Sequence, residues 1–188
     1  VMIRGSIDGS ITRYRKVFVT GAEKSLGISP GSELRVFSVD SLTFTVMLDN
    51  ELFYPELARL NLSISDFLVA GIPQNAPLKY YDNVVKTIAS VNKAYVIVVG
   101  ARVFKTGILY DSMPTILVSP DGDVEFKYSE DEQGLVLIPA DKLKKSGAKD
   151  FNELAKIYSL YRKILERGLK HGVGESSSGE DAESSRPR

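Results

Sequence analysis

The chain has no cysteine and a single histidine among its 188 residues. Without cysteine, disulfides and thiolate chemistry are excluded within this chain, although the compartment is not fixed by this absence. One histidine cannot supply the histidine cluster that many zinc sites use. It is His171, in a basic stretch near the end of the sequence, and we interpret it as a surface residue.

Long apolar runs and several common motifs are also missing. No segment approaches the ~18 consecutive apolar residues of a membrane span, and residues 1–10 lack the apolar core of a secretory signal. We therefore expect no membrane association and a cytoplasmic location. The sequence contains no Walker glycine loop, no G-x-G-x-x-G and no G-x-S-x-G, so we expect no cofactor.

The residues that are present have an ordinary overall balance but an uneven charge distribution. The chain is 43% hydrophobic and 26% charged, with a formal net charge of zero. Basic residues predominate over 1–36 and 140–172, whereas acidic residues predominate over 37–139. Such asymmetry informs about partners rather than about fold. The alternative interpretation is that 140–172 is simply a solvated amphipathic helix.

Residues 13–48 carry the most distinctive pattern. The spacing predicts a strand over 16–20, a short helix over 22–26, and strands over 34–38 and 42–48. Gly27 falls where the residue after a helix needs a positive φ. Pro30 and Gly31 are typical of a type II turn. Apolar and polar residues alternate over 42–48, which predicts a half-buried strand.

Two segments of this stretch resemble a known family of DNA-binding domains. KVFV at 16–19 and LGISPGSEL at 26–34 look like the AbrB/MazE/SpoVT swapped-hairpin family. That resemblance implies a swapped-hairpin β-barrel over residues 1–49, an intertwined homodimer or higher homo-oligomer, and a transcriptional regulator that binds duplex DNA. The second segment also resembles the half-repeats of double-psi barrels, which share this local geometry.

Basic residues of this first domain are the candidate DNA contacts. Cations make charge-assisted contacts to phosphates, and arginine can bind guanine edges with two hydrogen bonds. A two-fold dimer would present each cation twice. Alternatively, residues 13–16 are an exposed edge strand protected by its charges. The candidates are Arg4, Arg13, Arg15, Lys16 and Lys24, with Arg35 as a weaker one.

Residues 50–172 are predicted to form an α+β domain that oligomerises or senses a ligand. We expect helices over 55–60, 66–70 and 80–92, then an antiparallel meander over 94–138 that includes a strand over 135–138, and a long final helix. The apolar stripe of that helix could be covered by its own domain or by a second chain. Residues 71–77 are the best linker candidate, and the low-complexity segment 173–188 should be disordered.

Two other functions stay open beside DNA binding, and we expect no enzyme. One is a structural or adaptor protein that binds another protein through the first domain and the final helix. The other is a metal-dependent nuclease, in which Asp111 and Glu125 would hold Mg²⁺ and Lys127 would support the attacking water. The salt dependence of binding distinguishes DNA binding from the adaptor function, because DNA affinity falls steeply with ionic strength. A hydrophobic contact between proteins should not show this dependence.

Overall fold

The structure is a computed structural model that describes residues 2–5, 11–71, 78–100, 102–112, 114–128, 134–145 and 151–172. The chain divides into two compact units, residues 1–148 and 149–188. Among the described residues, no helix combines the length and the apolar character that a membrane crossing requires.

The first unit begins with a hairpin and a short capped helix. Strand β1, Met2–Gly5, pairs antiparallel with strand β2, Ile11–Tyr14. Helix α1 runs over Gly21–Ser25, and its N-terminus is closed by a reciprocal capping box between Thr20 and Glu23. The positive φ predicted for Gly27 is confirmed at 79°. Asp8-Gly9 is a sequence typical of a tight hairpin turn, and these two residues lie outside the described residues.

The strand predicted over 16–20 is wrong. These residues form no strand, because the Val17 and Phe18 N–H groups donate to the carboxylate of Glu51 rather than to a neighbouring strand. The type II turn predicted at Pro30-Gly31 is also wrong, since Gly31 does not have the positive φ that this turn requires.

Six strands of the first unit form one mixed sheet, and two more form a separate hairpin. From one edge to the other, the sheet runs β10-β9-β6-β5-β4-β3. The pairs β4–β5 and β5–β6 are parallel, and the other three pairs are antiparallel. The strands after β2 are β3 Val36–Val39, β4 Leu42–Leu48, β5 Phe67–Gly71, β6 Tyr95–Val99, β7 Arg102–Lys105, β8 Ile108–Ser112, β9 Ile116–Val118 and β10 Val124–Lys127.

Helices connect the parallel strands, as parallel pairing requires. A 3₁₀ turn, Asp49–Phe53, and helix α2, Pro55–Ile64, lead from β4 to β5. Helix α3, Leu78–Asn92, leads from β5 to β6 and confirms the helix predicted there. The fold is therefore α/β. The predicted α+β class with a swapped-hairpin barrel is wrong, because β4 pairs with β5 of its own chain.

The predicted helix over 66–70 is strand β5 in the structure. Its sequence, FLVAG, is a short apolar run, and periodicity alone cannot separate a buried strand from a buried helix at this length. Strand β5 lies between two parallel neighbours, where both faces are covered and a continuous apolar run is expected. The same reason applies to β4, in which Thr45, Val46 and Met47 are all buried rather than alternately exposed.

The antiparallel meander is confirmed only in part. Strands β6, β9 and β10 pair antiparallel, whereas β7 and β8 form the separate hairpin. Residues 135–138 are described but form no strand. Helix α4, Ala140–Leu143, follows. In the second unit, helix α5 covers Phe151–Gly172. The predicted disordered segment 173–188 and residues 72–77 of the predicted linker lie outside the described residues.

Apolar side chains cover both faces of the sheet. One face packs against α2 and α3 through residues that include Leu62, Val85 and Ile88, with Leu68 of β5 at the centre. The opposite face carries Phe67, Tyr95 and Leu117, which pack with Leu143 of α4. A third cluster joins Tyr14 to Phe37 and Val46 and so attaches the first hairpin to the sheet.

Candidate functional site

A group of ionisable side chains gathers where β4 ends, and we call it the Lys16 cluster. Its members are Tyr14, Lys16, Glu23, Asp49 and Glu51. The 3₁₀ turn places Asp49 and Glu51 directly after the strand, and the segment that follows β2 supplies Lys16. Asp49 adopts a φ of 55°, which is uncommon for a residue with a side chain. Backbone strain of this kind is concentrated at functional sites.

Glu51 is the most buried member and is fully occupied by protein donors. Its side chain is 0% exposed. One carboxylate oxygen accepts from the Tyr14 hydroxyl at 2.9 Å and from the Val17 N–H at 2.6 Å. The other accepts from the Tyr14 hydroxyl at 3.0 Å and from the Leu48 N–H at 2.8 Å. Glu51 therefore joins the segment after β2 to the end of β4.

Tyr14 is the buried partner of this carboxylate. Its ring is 0% exposed and belongs to the apolar cluster with Phe37 and Val46. Burial raises the pKa of the Tyr14 hydroxyl, and the charge of Glu51 and the hydrogen bond to it raise that pKa further. Tyr14 is therefore a neutral donor at physiological pH.

Lys16 lies between two carboxylates. Its ammonium donates to the two oxygens of Glu23 at 2.8 and 2.9 Å and also contacts Asp49. Burial of the ammonium opposes its charge, but the hydrogen bonds to Asp49 and Glu23 outweigh burial and raise the pKa of Lys16. The same contact with Lys16, together with the Thr20 N–H, lowers the pKa of Glu23 from 4.5 to about 2.

Tyr81 of α3 extends the cluster into the core. Its side chain is 1% exposed, and its hydroxyl has no hydrogen-bond partner in the part of the chain that the structure describes. Burial raises the pKa of Tyr81, and the negative charge of Asp49 adds to this effect. Sequence reasoning missed Tyr81, Asp49, Glu51 and Glu23, because no spacing rule connects residues so far apart in the chain.

The chemistry available here is ionic and acid–base. The accessible groups are Asp49, whose side chain is 37% exposed, and Glu23 at 25%, whereas that of Lys16 is 10% exposed. No three acidic or histidine side chains of the described residues are arranged to hold a metal ion.

The structure does not bring the five predicted DNA contacts together in one site. Arg4 lies on β1, Lys24 is exposed on α1, and Lys16 is turned inward and neutralised. Arg13 and Arg15 are exposed and line one pocket together with Arg35. The assignment of these residues to DNA stays an untested prediction, and the barrel from which it came is wrong.

The residues proposed for a nuclease do not form a site around Glu125. The Glu125 carboxylate is 2.7 Å from the Lys142 ammonium and accepts from the Tyr95 hydroxyl at 3.1 Å. Asp111 lies on β8, in the separate hairpin, whereas Glu125 and Lys127 lie on β10 of the main sheet.

Comparison with known proteins gives a fold but no family from sequence. No family model matches the chain, and no curated protein matches it. Several solved structures do match. One is a mutant of the amidase from Nesterenkonia sp. AN1 with acrylamide added at its active-site cysteine. It has a TM-score of 0.63 at 18% identity over 83% of this chain and 61% of that one.

Two further structures agree with this match. A second mutant of the Nesterenkonia AN1 amidase, described as a member of the nitrilase superfamily, has a TM-score of 0.61 at 19% identity over 83% of this chain and 60% of that chain. Saccharomyces cerevisiae Nit3, of branch 10 of the nitrilase superfamily, has a TM-score of 0.56 at 23% identity over 67% of this chain and 47% of that chain.

These matches overturn the family resemblance drawn from the sequence. The mixed six-stranded sheet with its flanking helices resembles part of the nitrilase fold, so the AbrB-like identification and the transcriptional regulator inferred from it are wrong. The chain spans about half to three fifths of the length of the solved chains it matches. The matched amidase has an active-site cysteine, whereas this chain contains none.

Proposed function

We propose that this chain is a non-catalytic protein of nitrilase-like fold that acts by binding rather than by turnover. The observation that carries the proposal is that the charged groups of the Lys16 cluster are paired with one another or with adjacent backbone N–H groups. Lys16 is neutralised by Glu23 and Asp49, and both oxygens of Glu51 are occupied by protein donors. A cluster of this kind stabilises a fold and leaves little capacity for a substrate.

The chemistry of amide cleavage supports the same proposal. Covalent amidase catalysis requires an activated nucleophile. The chain provides no thiol, and the carboxylates beside Lys16 are engaged in ion pairs. The chain also spans only part of the solved amidase structures, so their activity is not carried over here.

An amide assay tests this proposal directly. The purified chain is incubated with acetamide and butyramide, and ammonia release is compared with that of the Asp49→Ala variant. We expect no release above the variant's background. Incubation with acrylamide, followed by intact-mass spectrometry, should leave the mass unchanged. Ammonia release that depends on Asp49 would contradict a non-catalytic role.

One observation favours a second candidate, an amide hydrolase with a carboxylate nucleophile. Asp49 combines a strained backbone, partial exposure and contact with the Lys16 ammonium. A carboxylate of this kind could attack an amide carbonyl and form an anhydride, with the Lys16 ammonium giving a proton to the departing ammonia. Water would then hydrolyse the anhydride and regenerate the Asp49 carboxylate. Trapping of an acyl adduct on the peptide that contains Asp49 would favour this candidate, and Asp49→Asn should then abolish turnover.

A cytoplasmic location and self-association, both expected from the sequence, stay part of the proposal. Cell fractionation tests the first, and light scattering tests the second.

A further inference from the structure

The buried Tyr14 controls where its two neighbours point. Tyr14 faces the core and donates to Glu51. Side chains of an extended segment alternate between its two faces. Arg13 and Arg15 therefore leave the chain on the opposite, solvent-facing side, and both are exposed.

A close backbone contact brings a second segment against this arginine pair. The Gly31 N–H donates to the Lys16 carbonyl at 2.7 Å. A Cβ atom on Gly31 would lie 2.5 Å from the Arg15 carbonyl oxygen and 2.9 Å from the Arg15 Cβ. Because Gly31 has no side chain, the loop can lie flat on Arg15, which places the following residues beside the two arginines.

The two segments enclose a surface pocket of about 260 Å³, which we call the arginine pocket. Its charged lining is three arginines against one carboxylate, and Ser32 adds a hydroxyl. Arg35 is paired with Glu33, and both side chains are more than half exposed. Among the described residues, no salt bridge joins Arg13 or Arg15 to a carboxylate. The lining residues are Arg13, Arg15, Gly31, Ser32, Glu33 and Arg35.

We propose that the arginine pocket binds the dianionic phosphoryl group of a small molecule. Guanidinium groups match phosphate oxygens with paired hydrogen bonds, and they remain charged at any physiological pH. The lining has an excess of two positive charges, which a phosphoryl dianion would neutralise. The volume lies slightly below the ~300 Å³ at which typical small-molecule pockets begin, so it suits a phosphoryl group with a small substituent.

The pocket also contains a competitor for the incoming anion. The Glu33 carboxylate occupies the guanidinium of Arg35, so a bound phosphoryl group has to share Arg35 with Glu33 or displace it. Removal of the Glu33 charge should therefore strengthen anion binding. A purely structural role for these arginines would not give this result.

Isothermal titration calorimetry on the full chain tests the proposal with inorganic phosphate, pyrophosphate, glycerol 3-phosphate, succinate and a short DNA duplex at constant ionic strength. We expect the phosphorylated small molecules to bind more tightly than succinate. The double variant Arg13→Ala with Arg15→Ala should weaken their binding by about tenfold or more, since hydrogen bonds to charged groups are the strong ones. Glu33→Gln should strengthen it by about threefold.

A matched control removes a cation outside the pocket. Lys93→Ala deletes one exposed positive charge, which is paired with Asp121 rather than facing the pocket, and should leave the affinity unchanged. Circular dichroism shows whether each variant is folded. Three results would overturn the proposal: no binding of any phosphorylated small molecule to the folded chain, equal losses in the Lys93 and arginine variants, or binding of the duplex that these molecules do not compete away.

Discussion

Glu51 is a charged residue that the fold retains in its core. A buried carboxylate without partners would cost several kcal/mol, and an ion pair often only offsets that cost. Glu51 has no direct cationic partner in the described part of the chain and accepts N–H and O–H donors on both oxygens instead. Glu51 contributes by positioning the backbone, because its carboxylate holds the irregular segment after β2, which is not paired with a strand.

We expect Glu51→Gln to destabilise the fold by about 3 kcal/mol. The variant places an NH₂ group against donors that need an acceptor, in a site without access to solvent. Urea denaturation measures the loss as a lower midpoint. Glu33→Gln is the matched control, because Glu33 is exposed, and should change stability by less than ~0.5 kcal/mol. Equal stabilities of the two variants would contradict the structural role given to Glu51.

The lowered pKa of Glu23 predicts that the fold loses stability at acidic pH. Its pKa in the folded chain is about 2, below the usual value of 4.5, because it bonds to Lys16 and to the Thr20 N–H. A carboxyl group with a lowered folded-state pKa stabilises the fold fully above its unfolded value, and this contribution is lost as the pH falls towards the folded value. Wild type should therefore lose stability between about pH 4.5 and pH 2.

The Glu23→Gln variant isolates this effect. Its stability should be lower than that of wild type near neutral pH, and the difference should shrink as the pH falls through the same window. Chemical denaturation at a series of pH values measures it. Glu166→Gln changes only an exposed i,i+4 pair with Arg162 and serves as the control. A difference that does not depend on pH would refute the assignment.

At the scale of elements, alanine substitutions at two glycines are expected to have different effects on stability. Gly31→Ala introduces a Cβ atom 2.5 Å from the Arg15 carbonyl, so the loop must move away. We expect a loss of about 1–3 kcal/mol and weaker phosphate binding, because the arginine pocket opens. Gly21→Ala, at the start of α1, meets nothing within 4 Å and should be neutral or slightly stabilising. Thermal denaturation compares the stabilities of the two variants, and calorimetry compares their affinities for phosphate. Similar effects of the two substitutions would argue against the close contact between Gly31 and Arg15.

Strand β5 supplies a further test of the corrected fold. Leu68 is 0% exposed at the centre of the cluster beneath α2 and α3. Leu68→Ala should destabilise the chain by about 2–5 kcal/mol. Leu137→Ala removes the same atoms at a position that is 84% exposed and should have little effect. A small loss at Leu68 would mean that β5 is not a central strand.

Local structure could be predicted from the sequence wherever one signal was decisive. The glycine after α1, the strand over 42–48 and the long pattern of α3 are such cases, although the alternation predicted for that strand is not seen in its burial. The errors arose where pairing partners decide the structure. FLVAG reads as helix or strand until its neighbours are known, and β3–β4 fits a barrel hairpin as well as the edge of a mixed sheet.

The contacts within the candidate site depend on the fold more than on the local sequence. The basic residues were noticed, but their partners could not be. The sequence predicts Lys16 as a DNA contact, whereas in the structure it is paired with Glu23 and Asp49, which reach it only through the fold. Arg13, Arg15 and Arg35 do meet, although Arg35 comes from a segment well separated in sequence.

For the whole molecule, the core belongs to the first unit. Among the described residues, every member of the three apolar clusters lies at or before Leu143. A chain that ends at residue 148 should therefore unfold cooperatively, with a Tm within about 5 °C of the full chain. Differential scanning calorimetry gives the comparison. A much lower Tm would mean that residues 149–188 stabilise the first unit.

The same truncation tests self-association. Helix α5 carries Leu160, Ile164 and Leu165, each more than half exposed, and exposed apolar stripes of this kind favour helix pairing. We expect the full chain to be dimeric and the truncated chain monomeric by light scattering. A monomeric full chain would remove self-association from the proposed function.

The parallel centre of the sheet has a kinetic consequence. Hairpins β3–β4 and β9–β10 close over short loops, whereas β4–β5 and β5–β6 are joined by longer crossover connections that contain a helix. Non-local pairing slows folding because loop entropy is lost before contacts compensate for it. The outer hairpins should therefore acquire amide protection early in refolding, and the middle strands should acquire it last.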